Sequence, residues 1–437
     1  MDIDSATLYD LNIFGRVEED SILHLLNYTR TNGGKECLKR LFYQPFGKAE
    51  QIAEAQQIIK LFIEALPHFH EIITNGTMMV LDKYFESPVT SIPRGAGAAS
   101  SFLYKLFNRA DYVTVRYSVK HIIDFVKGVN EILQLFPNGD YPKPLQHLLD
   151  EGKRQLDKPI FQKIIQFPKE YKPSSGVNIE LGHFFNYNRL GIQALEEIFF
   201  AMDAWYSLAK ATVARHFHFP EIVESASPMI EAKNLYHPLL ENPVGYDFEL
   251  SDKNNFLFLT GANMAGKSTF IRAVGISVYL ASLGMGVPAN AMRMSAFDGL
   301  LSNIDVSDNT LKGESYFYNE VKRIKTTVSK IESGKKWLVL IDELFKGTNI
   351  QDAMRCSTVV IEGFRKVRSS LFILSTHLYE IGENLKQYPN IQFRYFETEA
   401  QDETLHFSYQ LKDGISNDRF GYLILRKEKV VEMLDKL

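Results

Sequence analysis

Residues 260–269 of this 437-residue chain read TGANMAGKST, placing Gly261, Gly266, Lys267 and Ser268 on the pattern G-x-x-x-x-G-K-[ST]. The chemistry this spacing suits is the holding of a polyphosphate. Phe256-Leu257-Phe258-Leu259 before it predicts a strand, and Phe270-Ile271-Arg272-Ala273-Val274 after it predicts a helix. A strand that turns sharply into a helix N-terminus aims several backbone N–H groups at one point, where a phosphate can sit. Gly261 and Gly266 allow the backbone angles and the close approach. Ala262, Asn263, Met264 and Ala265 form the turn between them. Lys267 is expected to reach the β- and γ-phosphates, and Ser268, followed by Thr269, to help hold Mg²⁺. An ordinary glycine-containing strand–helix turn is the competing reading, and the apolar flanks weigh against it.

Such a site needs a carboxylate for the metal and a group to activate water. Trp337-Leu338-Val339-Leu340-Ile341 is a continuous apolar run that ends in Asp342-Glu343. It suits a strand buried on both faces of a parallel sheet, and the C-terminal ends of such strands are where these sheets bind ligands. Asp342 is the expected metal ligand and Glu343 the expected general base. A third run, Leu371-Phe372-Ile373-Leu374, ends in Ser375-Thr376-His377, where a sensor of the γ-phosphate would stand; a lone histidine is more often structural. Between these runs, residues 307–317 look like a loop opening a helix, with Ser315 ahead of Glu320-Val321-Lys322-Arg323-Ile324. By itself this stretch would pass for a helix cap. It also resembles the signature loop of ATP-binding-cassette-like ATPases, which meets the nucleotide of a second subunit.

Together these segments resemble the MutS family of DNA mismatch-repair ATPases. The family's TGPNMGGKST departs from TGANMAGKST only at Ala262 and Ala265. Its LVLMDE followed by GRGT is LVLIDELFKGT here, with Phe345 for the glycine and Lys346 for the arginine. Its Gly-x-Ser-Thr-Phe run resembles Gly313-Glu314-Ser315-Tyr316-Phe317 leading to Glu320, with tyrosine in place of threonine, and its ATH becomes Ser375-Thr376-His377. Lys412-Asp413-Gly414 with Phe420-Gly421, and Tyr236-His237-Pro238, resemble further family patterns, as do residues 20–45 and 201–221. The likeness covers residues 1–120 and 195–437. It implies an ATPase using ATP and Mg²⁺, with Glu343 and His377 catalytic and Ser315 acting in trans on a partner's nucleotide. Tyr409 and the loop of residues 244–246, including Val244, fall where the family stacks its adenine. No stretch resembles the family's mismatch-reading and connector domains, so DNA binding directed to structure rather than to sequence or mismatch is expected.

The elements that must position these groups divide in two. The first third of the chain reads helical: Ile52, Ala55, Ile59, Phe62 and Leu66, then Val119, Ile122, Val126, Val129 and Leu133, recur at helical spacing. Residues 93–101 read as a glycine-rich loop, and residues 137–190, dotted with prolines, follow no clear pattern. From about 226 strands alternate with helices, which implies a parallel sheet. The expected architecture is an all-α core and lever domain followed by an α/β P-loop NTPase domain. Its divisions are a helical core at 1–117, shortened lever helices at 118–195, a core return at 196–225, and the ATPase with C-terminal dimerisation helices at 226–437.

Composition bounds the rest. Hydrophobic residues make up 45% and the formal net charge is −4, so no global basic footprint for DNA exists and contact must come from a local patch or a dimer channel. No run is long and apolar enough to span a bilayer, no signal peptide opens the chain, and only Cys37 and Cys356 occur, which fits a cytoplasmic, reduced setting. The pairs His68/His70 and His216/His218 lack partners at metal-ligand spacing. The expected protein is a homodimeric ATPase that couples ATP hydrolysis to DNA binding in repair or recombination. A non-catalytic ATP-binding assembly protein recruited by a protein partner is the alternative. A transporter-type cassette would need a glutamine-bearing signature that this chain lacks.

Overall fold

The computed structural model describes residues 1–15, 17–69, 73–87, 89, 92–94, 97–168, 170–305, 316–401, 404–416, 426 and 429–434. The chain forms two compact units, one of residues 1–25, 44–56 and 212–437, the other of residues 26–43 and 57–211. No helix among the described residues is long and apolar enough to cross a membrane.

The first unit is mixed α/β. Its strands, in chain order, are β1 (Asp2–Ile3), β2 (Glu221–Val223), β3 (Met229–Leu235), β4 (Tyr246–Ser251), β5 (Phe256–Thr260), β6 (Ala291–Ser295), β7 (Gly299–Asn303), β8 (Trp337–Asp342), β9 (Ser370–Ser375), β10 (Ile391–Gln401) and β11 (Thr404–Asp413). The main sheet runs β1-β7-β8-β9-β5-β10-β11. Its pairs are parallel except β10 with β11. A smaller sheet, β2-β6-β3-β4, joins it. Every residue of β5, β8 and β9 is buried, which is why each reads as an unbroken apolar run rather than an alternating one. The strand β9 lies between β5 and β8, so the phosphate-loop strand and the acidic strand are one strand apart, and their C-terminal ends open on the same edge.

The first residues of the chain, expected with the helical core, belong to this α/β unit. β1 pairs in parallel with β7. Asp4 caps the helix Ser5–Asp10 by accepting from Thr7 N, and it is bonded by Arg323. The buried Asp10 carboxylate accepts from Ser302 Oγ at 2.5 Å and from the amides of Ile304 (2.9 Å) and Asp305 (3.2 Å). These side-chain pairings link positions some 300 residues apart, and no local pattern announces them.

In the second unit every regular element among the described residues is a helix. The helix Arg109–Gln134 buries Val119, Ile122, Val126, Val129 and Leu133, as their spacing predicts. The stretch 137–190 holds three further helices, Lys143–Leu156, Pro159–Ile165 and Ser175–Tyr187. Its prolines obscured them. Pro142 is an N-cap and Pro144 and Pro159 sit in first turns, where the missing N–H has no partner to lose, so they start helices rather than break them. The loop predicted over 93–101 also ends early, because the helix Ala98–Phe107 begins inside it. Asp203, fully buried, accepts from Arg30 N, Thr31 N and Thr31 Oγ1, tying the start of helix Asn32–Phe42 to the long helix Arg189–Ala214.

Candidate active site

The phosphate loop leaves β5 through three residues at positive φ: Gly261 (+138°), Met264 (+67°) and Gly266 (+109°). Gly261 needs its bare Cα, since a Cβ there would lie 3.1 Å from the Phe396 carbonyl oxygen and 3.3 Å from its nitrogen. Gly266 is the N-cap of the helix Lys267–Ser282, whose first N–H groups face the turn. Lys267 is 5% exposed. Its Nζ donates to the carbonyls of Gly261 (2.7 Å) and Ala262 (2.9 Å). Burial, partly offset by the carboxylates of Glu343 and Asp342, lowers its pKa from 10.5 to about 8. The loop thus curls around its own lysine, and an anion entering the turn would take the place of two carbonyl oxygens.

Asp342 ends β8 and is held from both neighbouring elements. Ser268 Oγ donates to Oδ2 at 2.5 Å, and Ser375 Oγ, at the end of β9, donates to Oδ1. The serine and aspartate expected to hold Mg²⁺ are therefore side by side. Ser375 is a partner that the sequence placed only within a polar triplet.

Glu343 follows at φ +67°. Its amide donates to Ser375 O at 3.0 Å. Its Oε1 lies 3.0 Å from His377 Nε2, and its Oε2 lies 3.7 Å from Lys346 Nζ. Burial raises its pKa, but the His377 hydrogen bond and the charges of Lys346, His377 and Lys267 outweigh it, so the carboxyl titrates below its ordinary value. His377 Nε2 is also 3.4 Å from Lys267 Nζ. A nitrogen that donates to Glu343 cannot accept from Lys267, and the shorter contact favours the bond to Glu343. Thr376, whose amide donates to Leu259 O, anchors the turn that carries His377.

A cleft of about 470 Å³ lies against the phosphate loop. Ala262, Asn263, Met264, Gly266, Lys267, Ser268, Thr269 and Glu343 line it, together with Leu240, Glu241, Asn242, Val244, Tyr246 and Tyr409. Val244 and Tyr409, distant in sequence, are thereby brought to the loop. The Tyr409 ring and the Tyr246 hydroxyl stand 3.5 and 3.6 Å from the position a Gly266 Cβ would take. Ala265, within the loop, is buried and lines no part of the cleft. A larger cleft of about 650 Å³, lined by Tyr9, Asp10, Arg272, Asp305 and Lys346 among others, holds no residue of the phosphate loop. Ser315, Gly313, Glu314, Phe420 and Gly421 lie outside the described residues, as does His70 of the first histidine pair. His218 is structural, its amide donating to Val287 O and its Nδ1 lying 2.9 Å from Ala289 O. No cluster of three metal-ligating side chains occurs among the described residues.

Comparison with known proteins bears on the same half of the chain. Residues 257–434 match MutS domain V. Over 235 residues the chain is 32% identical to the DNA mismatch repair protein MSH3 of Vanderwaltozyma polyspora, covering 51% of this chain and 23% of that protein. It is 28% identical over 236 residues to the DNA mismatch repair protein MutS of Lactococcus lactis subsp. cremoris, covering 53% and 28%. To the MutS of Pelotomaculum thermopropionicum it is 31% identical over 231 residues, covering 51% and 26%. The matched stretch thus spans about a quarter of the length of these relatives.

Proposed function

We propose, for a chain that belongs to the MutS family through its domain V, that it binds and hydrolyses ATP and couples this cycle to DNA binding in repair or recombination. The observation that carries the reading is the convergence of Lys267, from the turn after β5, with Asp342, Glu343 and His377, from the C-terminal ends of the neighbouring parallel strands, beside a cleft that Lys267 and Glu343 line.

Each residue has a role that its surroundings suit. Lys267 exchanges its two carbonyl partners for the β- and γ-phosphate oxygens, beside the N–H groups of the helix N-terminus. Ser268 and Asp342, already paired, hold the metal. Mg²⁺ supplies neutralisation of the phosphate charge. Glu343 is ionised at neutral pH and takes a proton from water, while His377 orients its carboxylate. Tyr409 and Val244, which line the same cleft, flank the base. Ser315 completes the site of a second copy, which makes the working unit a two-fold dimer. Residues 57–211, with the helices 118–195 as shortened levers, pass the nucleotide state to DNA.

Nucleotide binding and turnover test the reading directly. Wild-type chain should bind Mg-ATP and release phosphate, and Lys267→Ala should lose binding. Equal affinity in the two would remove Lys267 from the site. Binding without turnover would favour the assembly-protein alternative. Gel shifts with matched, mismatched and branched duplexes test the DNA half, and binding should fall steeply with salt because phosphate contacts release counterions.

A further inference from the structure

Phe345 adopts φ +58°, and Glu343, two residues earlier, φ +67°. Bulky side chains rarely occupy this left-handed region. Such strain persists where the surroundings over-determine it, and it concentrates at functional sites. Three contacts over-determine it here, all with the helix Tyr316–Ile331. The Phe345 ring, 5% exposed, packs on Phe317 with centroids 5.7 Å apart. Glu320, one turn on and 1% exposed, accepts from the amides of Lys346 (3.1 Å) and Gly347 (3.2 Å). The loop backbone lies flush on the helix, since a Cβ on Gly347 would come within 2.7 Å of Phe317 N.

We infer that Phe345 and Glu320 are positioning residues for Glu343. They brace the loop that carries the general base against the first turns of this helix, so that loop and helix move as one body. Neither lines the nucleotide cleft, so both act through Glu343. A glycine at 345 would adopt the same φ without strain but would carry no ring to meet Phe317. The burial of Glu320 raises its pKa, the loop amides opposing that shift, so its carboxylate is held by those amides rather than by solvent. The inference rests on the ATPase reading for its kinetic consequence but not for the brace itself.

The test uses the full chain, with wild type, Phe345→Ala, Phe345→Leu, Phe317→Ala, Glu320→Gln and the pair Phe317→Ala/Phe345→Ala. Phe345→Ala and Glu320→Gln should lower kcat about tenfold or more with Mg-ATP affinity held within about twofold, and Phe345→Leu should restore most of the rate. The double variant should lose about as much as either single one, because the two rings make one contact. Hydrogen exchange at the amides of Lys346 and Gly347 should quicken about tenfold in Phe345→Ala and Glu320→Gln while β5, β8 and β9 stay protected. Wild-type kcat in Phe345→Ala, or affinity falling in step with turnover, would overturn the inference. If the wild type does not hydrolyse ATP, the ATPase reading fails and exchange alone decides the brace. Unchanged exchange would then overturn it.

Discussion

The affinity for ATP should fall as pH rises through about 8, and Lys267 sets the size of the effect. Burial lowers the pKa of its ammonium from 10.5 to about 8 in the free protein. Phosphate oxygens in place of the Gly261 and Ala262 carbonyls would return it to its ordinary range, because the bound anion selects the charged form. At pH 7 about nine-tenths of the unliganded lysine is charged, and at pH 9 about nine-tenths is neutral and must take up a proton on binding. The Kd at pH 9 should therefore be about tenfold that at pH 7, or about 1.4 kcal/mol. Uptake should be about half a proton at pH 8. Titration calorimetry in two buffers of different ionisation enthalpy reads both quantities. Lys267→Arg, charged throughout, should lose the dependence. The sign for folding is the reverse. Between pH 8 and 10.5 the unfolded chain holds the Lys267 proton that the folded chain has shed, so this group's contribution to stability without nucleotide rises with pH across that window. A Kd constant within about twofold from pH 7 to 9, or the same slope in Lys267→Arg, would refute the placement of Lys267 against the phosphates.

Glu343→Ala should keep Mg-ATP binding and lower turnover by about 10²–10⁴-fold in a phosphate-release assay, the usual range for a lost general base. Equimolar Lys267→Ala and Ser315→Ala chains, each inactive alone, should together recover about a quarter of wild-type turnover, since half of random dimers are mixed and each has one intact composite site; no recovery with mixed dimers shown would exclude action in trans. Asp4→Ala should cost about 1–3 kcal/mol in denaturant melts by removing a helix cap and the partner of Arg323. Burial opposes ionisation of Asp4, but the hydrogen bonds from Arg323 and Thr7 win and depress its pKa. Its contribution is therefore complete at neutral pH and lost as pH falls through and below the ordinary carboxylate range, and Asp4→Ala should show less acid sensitivity than wild type.

Much of the site was legible because its chemistry is local. The turn 260–269 joins one strand to one helix, so its glycines, Lys267 and Ser268 stand at spacings set by a single backbone path. Runs such as 337–341 and 371–374 read as buried strands because burial on both faces demands an apolar residue at every step, and Asp342 and His377 follow at strand ends for the same reason. The helices at 143–187 were hidden because proline reads as a breaker until its place in a first turn is known. Strand order was equally hidden. It alone puts Ser375 on Asp342 and His377 on Glu343, pairs 33 and 34 positions apart, by laying β9 between β5 and β8. By itself, then, the sequence marked the short stretches that carry Lys267, Ser268, Asp342, Glu343 and His377, since each motif is a short stretch of one backbone. Tertiary structure decided which of those groups touch, how Val244 and Tyr409 join the cleft, that residues 1–25 complete the α/β unit, and that Phe345 is braced in a strained turn, because each is a contact between segments whose separation no local periodicity encodes.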